Sequence, residues 1–213
     1  SGACTPAITS TVAVLNVTAP VVVNTQPANA ALCGSGNTGF SINATGTGIS
    51  YQWQLSTNDG IVFNDVNSAT AATLNVNATG TNFDNYKYRV IVRNGVCTDV
   101  TSTVATLTVN PLPVVSLSPA PYSKLFPGLQ TTITAIVTPS TGVTLSWQKN
   151  GVGITNTGNT LTVNIDQLGD YKVTATGTGG CIGESNTLSI ADSATNKIFF
   201  YPNPNGGQFQ VRY

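Results

Sequence analysis

Three segments of the chain can be laid over one another. Gly2-Ala-Cys4-Thr-Pro-Ala-Ile-Thr-Ser10 leads to Leu15-Asn-Val17, Gly95-Val-Cys97-Thr-Asp-Val-Thr-Ser102 to Leu107-Thr-Val109, and Gly180-Cys181-Ile-Gly-Glu-Ser185 to Leu188-Ser-Ile190. The period, about 85 to 90 residues, is the size of a β-sandwich module. In each copy the glycine beside the cysteine marks a turn, and the alternating Leu-x-Val or Leu-x-Ile marks a last strand. The repeat therefore predicts a string of like modules.

Residues 19–110 form the first complete module and 111–192 the second. In the first, Phe40-Ser-Ile42-Asn-Ala44 and Ile49-Ser-Tyr51-Gln-Trp53-Gln-Leu55 alternate as strands, and Asn58-Asp-Gly60 supplies a hairpin turn. Leu74-Asn-Val76 and Tyr86-Lys-Tyr88-Arg-Val90-Ile-Val92 follow. The second repeats the order in shorter form: Ile133-Thr-Ala135-Ile-Val137, Leu145-Ser-Trp147-Gln148, an Asn150-Gly151 turn, Leu161-Thr-Val163, then Tyr171-Lys-Val173. Residues 1–18 are expected to be the closing hairpin of a module whose body lies upstream, with Ser1 the start of a fragment or of a processed product. The links Thr18-Ala-Pro20 and Asn110-Pro-Leu-Pro113 are short and hold proline, so a semi-rigid string is expected.

A tryptophan on the third strand and a tyrosine opening the sixth are the marks of an immunoglobulin-like sandwich. Residues 1–192 are similar to the tandem Ig-like modules of Bacteroidetes surface proteins, with their Tyr-x-Trp-Gln and Gly-Cys turns. The fold class expected is all-β, as tandem immunoglobulin-like sandwiches. Composition agrees, since Thr, Asn, Ser, Gly, Val and Ala carry most of the chain and favour strands and turns over helices.

Four cysteines permit three full pairings. Cys97 closes the first module and Cys33 lies early in it, so a Cys33–Cys97 bridge is expected to staple the ends of one sandwich. Cys4 and Cys181 occupy the repeat position of Cys97. Cys4 then has its partner upstream, and Cys181 is left alone because Leu125-Phe126 stands where the second module would place Cys33. The competing reading is four small buried thiols in a reduced protein.

The chain has no histidine, which removes the commonest general base, the usual zinc ligand and every His-dependent triad. Its 8 carboxylates are scattered over turns, so a glycosidase-type pair is not expected. No catalytic residue, metal site or cofactor is assigned. Asn58-Asp59 with Asn64-Asp65 could offer oxygens to Ca²⁺, but Asx residues suit turns for their own hydrogen-bonding reasons. Gly34-Ser-Gly36-Asn-Thr-Gly39 spells a dinucleotide fingerprint, yet a strand pattern follows where a helix is required. Trp53 and Trp147 fall at core positions, and Tyr122 and Phe126 near a module junction. Lys+Arg and Asp+Glu are equal at 8 each, so nothing steers nucleic acid. No apolar run approaches the roughly 20 residues of a transmembrane helix.

The tail, 193–213, begins with Asp192-Ser193-Ala194 across its boundary, which resembles the Asp-Ser/Thr-small sequon for O-glycosylation in the same bacterial group and implies a glycan at Ser193. Further on come Tyr201, Pro202, Asn203 and Pro204, then Gly207, Phe209 and Val211. Two prolines hold the backbone extended, paired glycines allow a turn, and Phe209 with Val211 alternate as a strand. This pattern resembles the opening of the C-terminal sorting domain of the type IX secretion system. The resemblance implies that residues 201–213 engage the type IX machinery. Only the first strand of a sorting domain is expected here, with 193–213 extended until a partner chain or further segment completes the sheet.

The expected function is that of non-catalytic stalk or adhesin modules of a secreted or outer-membrane cell-surface protein, exported through the tail and meeting surface glycans or other cell-surface proteins. Two other readings stay open: spacer modules of a secreted hydrolase whose catalytic domain lies upstream of Ser1, or a carbohydrate-binding module.

Overall fold

The structure, a computed structural model, describes residues 2, 9–15 and 17–193, together with the backbone of 199–201 and 210–212. Two compact units divide the chain. One comprises Ser1–Ala30, Thr38–Val76 and Asn85–Leu107, the other Ala31–Asn37, Asn77–Asp84 and Thr108–Tyr213. Among the described residues there is no α-helix, only three short 3₁₀ turns between strands. Alternating β-branched and aromatic residues separated by Asn-, Gly- and Pro-containing turns give this outcome.

Strands β1 (Val22–Thr25), β2 (Ala30–Cys33), β3 (Gly36–Ser41), β4 (Asn43–Thr45), β5 (Ser50–Ser56), β6 (Asn64–Asp65), β7 (Thr73–Ala78), β8 (Tyr86–Arg93), β9 (Val100–Thr101) and β10 (Ala105–Asn110) come first. β1 pairs with β4 and β3 with β7, while the larger sheet runs β2-β10-β8-β5-β6 with β9 added to β8. Period-two alternation turns Tyr88, Val90 and Val92 of β8 and Ala105, Leu107 and Val109 of β10 inward. Trp53, opposite Val90 in the β5–β8 ladder, is fully buried and donates its indole N–H to the Ala71 carbonyl at 2.9 Å. Phe40 stacks on Tyr88 with ring centroids 4.6 Å apart. Asn58-Asp59-Gly60 makes the expected turn, with φ of 60° and 87° at Asp59 and Gly60 and the Ile61 N–H returning to the Asn58 carbonyl.

Then follow β11 (Val114–Ala120), β12 (Lys124–Leu125), β13 (Gln130–Thr138), β14 (Thr144–Lys149), β15 (Val152–Ile154), β16 (Thr160–Asn164), β17 (Gly169–Thr176), β18 (Ile182–Glu184) and β19 (Leu188–Asp192). One sheet is β11-β13-β16; the other is β12-β19-β17-β14-β15, with β18 on β17. Between them lies a core in which Trp147 is fully buried together with Leu117, Ile133, Val163, Tyr171, Val173 and Ile190. Its indole N–H donates to the Gly158 carbonyl at 2.8 Å, and the Tyr171 hydroxyl donates to the Gln167 carbonyl four residues back. Asn150 and Gly151, with φ of 51° and 78°, turn β14 into β15. Leu125, standing where the first module has Cys33, is fully buried on β12, parallel to β19.

The tail differs from the extended peptide expected of it. β20 (Phe199–Tyr201) pairs antiparallel with β21 (Gln210–Arg212), setting Phe200 opposite Val211 and Tyr201 opposite Gln210. The described strands of the tail thus pair with one another.

Candidate functional site: the linker disulfide and the groove beside Ser193

The expected Cys33–Cys97 bridge is not formed. Cys33 is bonded instead to Cys181, 148 residues away, with Cα atoms 5.5 Å apart. Strand direction gives the physical reason. Cys97 lies beyond the C-terminal end of β8, and β10, antiparallel to β8, runs away from it toward the linker. Cys33 sits at that linker, where the Gly34 N–H donates to the Asn110 carbonyl at 2.7 Å. Cys181 comes to the same place because β17 ends in a tight Thr178–Gly180 turn, and both bonded cysteines belong to the second unit. Cys97 is exposed and unbonded. Cys4 lies outside the described residues.

Glycines let the chain close up around the bridge. Gly183 lies so near the Pro113 carbonyl that a methyl group there would overlap it. Gly179, with φ of 68°, lies against the Asn110 side chain in a conformation that L side chains rarely adopt. Asn110 and Pro113 of the linker thus pack against the turn and strand that carry Cys181, while Pro111 and Leu112 between them are exposed.

A serine motif that sequence reading passed over fixes the strand behind each cysteine turn. Ser102 donates its N–H to the Val90 carbonyl while its hydroxyl accepts the Val90 N–H at 2.9 Å and donates to the Thr103 carbonyl at 2.8 Å. Ser185 repeats each bond on Val173 and Asn186, at 2.9 Å and 2.8 Å. Both serines stand in the quoted repeat, Ser102 and Ser185 closing their copies, and that recurrence was the available signal.

Of the other sequence-predicted positions, Ser193 is half-buried at the end of the second unit, its N–H donating to the Leu125 carbonyl at 2.9 Å. It edges an open groove of about 540 Å³ whose lining includes Tyr122, Lys124, Phe126 and Leu129. Tyr201 and Val211 lie in β20 and β21, whereas Pro202, Asn203, Pro204, Gly207 and Phe209 fall outside the described residues. Three of the four Asx side chains considered for Ca²⁺ are engaged within the protein. Asn58 Oδ1 accepts from the Ser56 hydroxyl and the Val62 N–H, Asp65 accepts from Gln54, and Asp59 pairs with Lys87 at 2.5 Å, which holds its carboxyl below the usual range. Gly34 and Gly36 lead into strand β3, so the glycine fingerprint has no helix behind it. Burial pushes the Tyr88 hydroxyl up to about 12, as befits a core residue.

Comparison with solved structures bears on this architecture. A three-Ig fragment of titin in an E-to-A mutated variant aligns with 83% of this chain at a TM-score of 0.53 and 16% identity, and an I-band fragment of titin does so at the same values. The N-terminal four Ig domains of Dscam1 isoform 6.9 align at a TM-score of 0.50 and 16% identity, again over 83% of this chain. The fold is tandem immunoglobulin-like. The chain spans 66% of the titin fragments and 46% of the Dscam1 fragment, and at this identity the likeness concerns fold alone. Residues 22–111 match the family described as "Domain of unknown function (DUF8696)". No curated protein matches the chain.

Proposed function

We propose that this chain is a non-catalytic stalk of Ig-like modules, with boundaries at 19–110 and 111–192, in a secreted or cell-surface protein exported by type IX secretion through its tail. The observation that carries the stalk reading is the Cys33–Cys181 bridge beside the Asn110–Pro113 linker, which covalently ties a cysteine of the first sequence repeat to one of the second. A disulfide also supports an oxidising, extracellular setting, since cytosolic thiols are kept reduced. Histidine-free composition supports a role without acid–base catalysis. Tyr201-Pro-Asn-Pro204, Gly207, Phe209 and Val211 support the type IX address, and Ser193, beside the tail, is the proposed glycan acceptor.

The groove lined by Tyr122 and Phe126 favours one second reading, a carbohydrate-binding module, because both rings are exposed enough to stack on a sugar. Export decides the first reading. In a Bacteroidetes-type host the native polypeptide is expected at the cell surface or in the medium, and deletion of residues 201–213 is expected to leave it in the periplasm. Unchanged export after that deletion would sink the type IX assignment.

A further inference from the structure

We infer that Cys97 is half of a second linker disulfide, made with a cysteine of an Ig-like module that precedes residues 9–17 in the polypeptide. This rests on the modular reading proposed above and extends it to a bond outside the chain described.

Cys97 and Cys181 occupy one structural position. After β17 the chain turns through Thr178–Gly180 to Cys181, returns as β18 on β17, and is locked by Ser185 onto Val173. After β8 it turns through Asn94 and Gly95 to Cys97, returns as β9 on β8, and is locked by Ser102 onto Val90. The serine bonds repeat atom for atom at both places, while the turns differ: the Cys181 N–H donates to the Thr178 carbonyl and the Cys97 N–H to the Asn94 side chain. At the second place the cysteine is buried to 1% exposure and bonded to Cys33, which ends β2 on the sheet of β10, β8 and β5. At the first place the cysteine is exposed, and neighbouring Val96 is 76% exposed.

The segment before the first module independently points to a missing neighbour. Leu15 and Val17 stand at the repeat positions of Leu107 and Val109, which are core residues of a closing strand. Yet Val12, Val14, Leu15 and Val17 are all exposed, Val17 to 82% against 2% for Val109. An apolar segment exposed in this way carries the pattern of a closing strand without a sheet to pair with among the described residues. Its continuation reaches the Cys97 turn directly. Asn94 donates from its side-chain nitrogen to the Ala19 carbonyl at 3.1 Å and accepts the Cys97 N–H on its side-chain oxygen at 2.8 Å. The segment linking 9–17 to the first module thus lies beside Cys97, as Asn110 lies beside the Gly179 turn that leads to Cys181.

The partner is a cysteine ending the second strand of the preceding module, as Cys33 ends β2, and separated from Cys97 by about the 148 residues that separate Cys33 from Cys181. Both thiols lose a proton, one S–S bond forms, and the two electrons reduce the disulfide of a thiol oxidoreductase to its dithiol. Successive modules would then each be bonded to the one before.

The test is non-reducing peptide mapping of the full-length polypeptide from its secreting host, alkylated before digestion. The expected result is a Cys97 peptide cross-linked to a peptide upstream of Ser1, beside the Cys33–Cys181 pair. In full-length Cys97→Ser, one upstream cysteine peptide gains the alkyl label while Cys33–Cys181 is retained. Alkylated Cys97 in the parent protein, its bonding to Cys4, to Cys33 or to Cys97 of a second copy, or no upstream peptide gaining label in the variant would each overturn the inference. Loss of the Cys33–Cys181 pair itself would instead break the stalk reading on which the inference rests.

Discussion

Ser102 and Ser185 each use a short side chain to finish the hydrogen bonding of a buried strand. Each hydroxyl accepts the N–H of a valine that faces tryptophan across the sheet, Val90 with Trp53 and Val173 with Trp147. Replacing Ser185 with alanine removes the acceptor and leaves the Val173 N–H unpaired in the core, a cost of about 1 to 3 kcal/mol. Thermal or denaturant unfolding of Ser185→Ala should show a loss in that range, and Ser102→Ala a similar one. An unchanged midpoint would mean that water reaches the orphaned donor. At this scale the tryptophans and Tyr171 were legible, because large apolar residues on alternating strands have one place to go. Ser102 and Ser185 were visible as repeated letters, but their role depends on a strand that returns from 12 residues away.

Strands and turns were read closely where periodicity and turn chemistry agreed, as at β5, β8, β14 and β17 and at the Asn58–Gly60 and Asn150–Gly151 turns. The tail was read less well, since the motif residues Tyr201 and Val211 pair with Gln210 and Phe200, which the motif does not specify. Cysteine pairing was misjudged for a related reason. Repeat positions say which residues are equivalent, not which ends of neighbouring modules approach one another. Cys33 was assigned within its own module, although it stands at the end that meets the linker. The close packing of β18 on that linker gives an element-scale prediction. Gly183→Ala places a methyl against the Pro113 carbonyl, a backbone atom that cannot rotate away, and should destabilise the second unit by about 1 to 3 kcal/mol. Gly153, with open space around it, is the control: Gly153→Ala should leave the same transition within about 0.5 kcal/mol of the parent.

Across the whole molecule the Cys33–Cys181 bond closes a loop of 148 residues, and chain-entropy arguments value such a closure at about 5 kcal/mol. The larger consequence is mechanical. Tension applied through the two termini passes through the disulfide and bypasses every residue between the cysteines, including β3 to β17. In the proposed stalk, load carried this way leaves the residues between the two cysteines free of tension. Single-molecule pulling from the two ends therefore reads the bridge as a length. The oxidised chain is expected to extend less than the reduced chain by about 500 Å, the fully stretched length of 148 residues. Equal extension with and without reductant would contradict it, and a difference of less than half that length would point back to a bridge between Cys33 and Cys97.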